Sequence, residues 1–296
     1  MLVTEIRFRL RFAMAMAVLA AGCDQSRPVP VPPAHAAGVA NAQTQPIVFP
    51  AGPEGDAARR GLAILSAPRD SMPEYVGASL RCFSCHLDNG TRPNAVPLVG
   101  AYVRYPAYSS RDDRIISIQD RVNNCFRRSM SGRVVPVDDE RMNAIVMYLA
   151  VMSRGVSVGS HVAGEGMPTM PLIAVDTSRG SDMFRSRCAR CHGMNGQGIP
   201  PATPLWGARS YSIGASLARR ARLATFIRHN MPYDSAGALT DQQSFDVAAY
   251  IISHPRPDSP DKQGDWASGG APADVPYNTR GHSAFNPPRV LPAAMR

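Results

Sequence analysis

Lysine is almost absent from this chain: Lys262 is the only one, and arginine supplies the remainder of the 32 basic residues. An amine ligand for a metal is therefore nearly excluded, and the formal charge of +9 rests on guanidinium groups, which suit two-point capture of small oxyanions. Long apolar runs are missing too. The uncharged stretch Phe12 to Ala21 is too short to cross a bilayer, and with Arg7, Arg9 and Arg11 in front of it residues 1–22 read as an export signal. No RNP-like motif occurs, nor any basic run interleaved with aromatics, so nucleic acid is not an expected partner. Strand-type alternation is also lacking, which leaves an all-α fold as the expectation.

Cysteine is sparse, and its six copies do not fall into a disulfide framework. Four of them form two Cys-x-x-Cys-His motifs, Cys82-Phe83-Ser84-Cys85-His86 and Cys188-Ala189-Arg190-Cys191-His192. Each reads as a c-type haem attachment site, in which two thiols bond the vinyl groups and the histidine becomes the proximal iron ligand. Half of a zinc site is the competing reading, but the copies stand about a hundred residues apart in an exported chain, which favours two covalently bound haem c groups. Cys23 ends the segment Leu19-Ala20-Ala21-Gly22-Cys23, which resembles a bacterial lipobox, so a periplasmic protein with a lipid anchor through Cys23 is expected. Cys125 is left over. A disulfide between Cys23 and Cys125 is the alternative use of these two thiols.

Composition divides the chain. Beyond the signal, residues 23–56 are rich in Pro and Ala and read as a tether. Two cytochrome c-like helical domains follow, at 57–159 and 176–262, joined by a linker at 160–175. Residues 263–296 form a Gly/Pro-rich tail that either wraps the surface or is disordered. The domains look like diverged repeats: Pro97-Leu98-Val99-Gly100 follows the first haem motif as Pro204-Leu205-Trp206-Gly207 follows the second. In each, the carbonyl of that proline is the candidate acceptor for the proximal histidine's second ring proton. Each domain then ends in a helical stripe, Met142, Ile145, Val146, Leu149 and Met152 in the first. In the second, a Thr240 and Gln243 capping box precedes Phe245, Ala248, Ile251 and Ile252.

The axial ligands follow from the repeat. Met231, followed by Pro232, lies 39 residues beyond His192, and the residue 39 beyond His86 is Cys125. Met231 would give the second haem His/Met coordination, with His229 as rival, and so the raised potential of an electron-transfer centre. Cys125 would give the first haem a thiolate, with Met130 as rival, and lower its potential. If 118–130 is helical, Arg121 and Ser129 stand one turn before and after Cys125 on the same face, with Arg111 and Arg128 nearby. Guanidinium groups there would favour the ionised, nucleophilic sulfur and could hold an anion beside it.

On these residues the chain resembles the thiosulfate dehydrogenase (tetrathionate-forming) family of dihaem cytochromes c. The matching stretches are Leu80 to Asp88, Tyr105-Pro106, Arg111 and above all Arg121-Val122-Asn123-Asn124-Cys125-Phe126-Arg127-Arg128-Ser129-Met130-Ser131-Gly132, with Asn230-Met231-Pro232 in the second domain. Ser131 departs from the asparagine frequent there. The resemblance implies an enzyme that joins two thiosulfates into tetrathionate, with Cys125 as distal ligand and catalytic thiolate and with Arg111, Arg121 and Ser129 as the thiosulfate cradle. It also implies a soluble cytochrome c or similar redox protein as electron acceptor. Two other readings stand beside it: a non-catalytic dihaem electron carrier, and a cysteine-ligated cytochrome subunit of a multi-component sulfur-oxidising system.

Overall fold

A computed structural model describes residues 46–284 and 290–291, all within one compact unit. The signal segment, Cys23 and most of the expected tether lie outside the described residues. The fold is helical, as expected. Its strands are short: Ala107–Ser109 pairs antiparallel with Arg114–Ile116, Tyr108 facing Ile115, and Arg256–Pro257 pairs parallel with Val290–Leu291.

Each half is built on one crossing pair of helices. In the first, Pro53–Ser66 packs on Glu140–Val151. Pro53 stands in the opening turn with Glu54 and Asp56, where a missing N–H costs nothing and acidic charge meets the helix dipole. The helix thus begins ahead of the boundary expected at residue 57. In the second half Thr177–Met183 packs on Asp241–Ile252, which starts with the expected box: Gln243 N–H donates to Thr240 Oγ1 at 3.2 Å, and Thr240 N–H to Gln243 Oε1 at 2.9 Å. Both apolar stripes face inward, with Met142, Ile145 and Leu149 buried in one core and Phe245, Ala248 and Ile251 in the other.

Both crossings depend on a glycine. A Cβ at Gly61 would collide with the carbonyl oxygen of Ala144 and stand 2.9 Å from Tyr148 Cβ. One at Gly180 would meet the carbonyl oxygen of Asp246 and stand 3.0 Å from Tyr250 Cβ. The repeated pairing of glycine with tyrosine lets two backbones approach more closely than side chains allow.

The tail is a structured strap over its described length. Trp266, Val275 and Tyr277 are buried with Ile213 in a small core of their own, so of the two expectations for the tail the described part follows the wrapped one. Leu217, in a short turn of the second half, packs against three of the four hydrophobic clusters and ties the halves together.

Gly61→Ala and Gly180→Ala are each expected to destabilise the haem-loaded protein by about 1–3 kcal/mol, because the obstructing atom is backbone and outweighs alanine's better helix propensity. Denaturant titration followed by far-UV circular dichroism reads this as a lower midpoint; an unchanged or higher midpoint refutes the close-contact account.

Candidate active site

The first haem motif opens into a cavity. Its walls are apolar, including Leu65, Leu80, Leu98, Ile118, Ile145 and Leu149, and Cys82, Cys85 and His86 stand in them. His86 Nδ1 lies 2.5 Å from the carbonyl oxygen of Val96, which leaves Nε2 for a metal. In the second half His192 Nδ1 lies 2.9 Å from the carbonyl oxygen of Thr203. The acceptors are thus the residues before Pro97 and Pro204, not the prolines. The Val96–Pro97 and Thr203–Pro204 peptides each have a carbonyl but no N–H, and at Val96 a positive φ of 50° turns the chain. Two thiols, a ring nitrogen held by its partner and greasy walls fit a covalently attached porphyrin.

Cys125 reaches this cavity from an irregular helix. The segment Ile118–Asn124 is capped by Ser117, whose hydroxyl accepts from Asp120 N–H at 3.1 Å while Asp120 Oδ2 accepts from Ser117 N–H at 3.0 Å. The helix then widens into one π turn, Cys125–Ser129, an irregularity that re-aims side chains and recurs at functional sites. Arg121, one turn earlier, donates from Nη1 to Cys125 Sγ at 3.0 Å. Ser129 lines the same cavity.

Three thiols share this space, and their environments differ. Burial pushes the Cys82 thiol up and Cys85 up to about 12, with Cys125 adding to both. Burial pushes Cys125 up as well, but the Arg121 guanidinium and the His86 ring outweigh it and bring the thiol down to about 6. Of the three, Cys125 is therefore the thiol whose ionised form is favoured. Met130, its rival, lines the cavity as part of the hydrophobic core.

Arg111, expected in the cradle with Arg121 and Ser129, is not among the residues that line the cavity. Its Nε and Nη2 donate to Asp265 Oδ2 at 3.0 and 2.8 Å, and Nη2 also reaches the Gly214 carbonyl oxygen at 2.8 Å. Arg128 is likewise committed, to Asp112 and Asp265. Two buried carboxylates thus consume both guanidinium groups, and neither acid gave a signal in the sequence. The cavity instead holds Arg104 and Tyr105 beside Arg121. Tyr105-Pro106 belonged to a family-like stretch; Arg104 carried no pattern.

Around the second motif, Met231 follows directly on the helix Arg220–Asn230 and packs into the cluster that contains Cys188, Leu205 and Trp206. His229 sits in the last helical turn, partly exposed. Trp206 stacks on His254 with ring centroids 4.0 Å apart. The asparagine before each candidate distal ligand does different work: Asn124 Nδ2 donates to Asp112 Oδ2 at 2.9 Å, whereas Asn230 Nδ2 donates to the Asn94 carbonyl oxygen at 3.1 Å, next to the loop that orients His86.

Residues 76–158 match the SoxA/TsdA cytochrome c domain and residues 177–255 the cytochrome c family, one haem motif in each, so the chain carries two c-type haems. It is 38% identical over 229 residues to a thiosulfate dehydrogenase of Allochromatium vinosum, covering 74% of this chain and 85% of that one. To a thiosulfate dehydrogenase of Psychrobacter arcticus it is 37% identical, over 75% of this chain and 70% of that one. Among solved structures it resembles the thiosulfate dehydrogenase TsdBA of Marichromatium purpuratum, with a TM-score of 0.69 and 34% identity, over 73% of this chain and half of that longer one.

Alkylation of Cys125 by iodoacetamide, followed by mass spectrometry, is expected to rise through pH about 6 instead of the roughly 8.5 of an ordinary cysteine. Folding favours the thiolate, so the effect is present above the ordinary pKa and fades as pH falls through the depressed one. Arg121→Gln should move the midpoint upward by more than about one unit; a midpoint indifferent to Arg121 contradicts the assignment.

Proposed function

The chain belongs to the thiosulfate dehydrogenase family, and from that premise we propose that it is a dihaem oxidoreductase that couples two thiosulfates into tetrathionate at Cys125. One observation carries the reading: a thiol held at 3.0 Å from a guanidinium, beside the proximal histidine, in an otherwise apolar cavity. An electron carrier has no need of that pair.

Cys82 and Cys85 would anchor the first haem, with His86 and Cys125 to hold its iron; Cys188 and Cys191 would anchor the second, with His192 and Met231 to hold its iron. When bound, the haems would supply a sink for the two electrons released and a route to an external acceptor such as a soluble cytochrome c. Arg121 binds the sulfonate end of thiosulfate by charge-assisted hydrogen bonds, with Ser129 as a further donor, and the apolar walls strengthen both by excluding water. The Cys125 thiolate forms a bond to the outer sulfur of thiosulfate, with loss of two electrons, giving a Cys125–S–S–sulfonate adduct. A second thiosulfate then attacks the outer sulfur of that adduct. Its S–S bond to Cys125 breaks, tetrathionate leaves, and the Cys125 thiolate is restored with charge balanced. Arg121 serves twice, first steering the dianion and then stabilising the departing thiolate.

The reading is that of a periplasmic protein, which the expected signal segment and a lipid on Cys23 would hold at the membrane through the Pro/Ala-rich tether.

Purified haem-loaded protein is expected to consume free thiosulfate with an artificial one-electron oxidant and form tetrathionate stoichiometrically. Cys125→Ser should lower kcat about 10³-fold or more while both haems stay attached. Arg121→Gln should lower kcat/KM on the order of 10²-fold. Equal turnover by Cys125→Ser and the native protein would remove the covalent route, and inactivity of the native protein toward free thiosulfate would favour the complex-subunit reading.

A further inference from the structure

The tail strap grips the helix irregularity that carries Cys125, and the grip is concentrated in one side chain. Asp265, with only 4% of its side chain exposed, accepts from Arg111 Nε and Nη2, from Arg128 Nη2 at 2.5 Å and from the Tyr277 hydroxyl at 2.6 Å. Arg128 lies within the π turn Cys125–Ser129. Its guanidinium is also bonded to Asp112 Oδ1 at 3.0 Å, and its carbonyl accepts from Ser212 Oγ. Asp112 in turn takes Asn124 Nδ2, the residue immediately before Cys125. Both flanks of Cys125 are therefore fastened to one buried network of alternating charge. The strap adds a backbone bond, Trp266 N–H to the Arg111 carbonyl oxygen at 2.9 Å, and the Arg111 guanidinium lies over the Trp266 ring, 4.8 Å from its centroid.

We propose that Asp265, far along the chain in the C-terminal strap, is a positioning residue for Cys125: by clamping Arg128 and Arg111 it holds the π turn that aims the sulfur at the first haem. A π turn has one residue more per hydrogen-bonded ring than the helix before it and relaxes to the tighter register when nothing holds it. That relaxation would rotate Cys125 around the helix axis. Asp265 supplies buried negative charge that Arg128 and Arg111 share, so its loss leaves buried cations underpaired and removes the reason for Arg128 to stay where it is. Asp261, just ahead of the strap, supplies the contrast: it lies 3.6 Å from Arg127 with its side chain 76% exposed.

The proposal rests on Cys125 being the distal ligand of the first haem, not on the identity of the substrate. The test uses the full-length, haem-loaded protein and electron paramagnetic resonance, which separates a thiolate-ligated from a methionine-ligated low-spin haem. Asp265→Asn is expected to convert more than about half of the thiolate-type signal into a second species, leave the other haem's signal unchanged, and lower thiosulfate turnover on the order of 10²-fold. Tyr277→Phe, which removes one donor without altering charge, should give a smaller shift of the same kind. Asp265→Glu should restore the native signal in most of the population, and Asp261→Asn should match the native protein throughout. The proposal is overturned if Asp265→Asn keeps the native thiolate signal, or if both haem signals fail together in Asp265→Asn and Tyr277→Phe leaves the first unchanged. Failure of the native protein to oxidise thiosulfate would sink the proposed reaction while leaving the spectroscopic result to stand by itself.

Discussion

The contact between Arg121 and Cys125 is the interaction on which the site depends. In water a guanidinium and a thiolate 3 Å apart attract weakly; in the apolar cavity the same attraction, with help from the His86 ring, overcomes the burial penalty on Cys125. The cavity needs its greasy walls to accept a porphyrin, and those walls amplify the polar contacts placed among them.

The two halves use one helical frame for unequal electronic ends. Each places its proximal histidine under a carbonyl that precedes a proline, and each crosses its terminal helices at a glycine. In the proposed ligation they diverge at the distal position, where a thiolate would stabilise oxidised iron and a neutral thioether reduced iron. An electron delivered at the Cys125 side would then move downhill toward the Met231 side.

Much of this was legible in the sequence, because its strongest signals are local. The haem motifs, the capping box at Thr240 and Gln243 and the inward stripes are set by spacing within one turn or a few, and the spacing of 39 residues survived between repeats because the same helix ends at the same distal position. What was hidden depends on contacts between distant segments. Gly61 and Gly180 look like poor helix residues until the partner backbone is in place. Arg111 looks like free positive charge until Asp265 arrives from 154 residues away to neutralise it. The tail's glycines and prolines left wrapping and disorder both open because composition reports regular structure, while Trp266 and Tyr277 anchor an irregular one. Val96 and Thr203 were missed by a single residue, since a proline marks the peptide it closes and not its own carbonyl.

Leu217 joins three hydrophobic clusters, and Tyr211, Ala215 and Leu217 of the second half line the cavity of the first. The cofactor chamber at the N-terminal motif is consequently a vessel whose last wall is made later in the chain. Synthesis runs from the N-terminus, so that chamber stays open to solvent until the C-terminal half has folded against it. The two halves look like diverged repeats but are not interchangeable cassettes: the chamber of the first is closed only by side chains of the second.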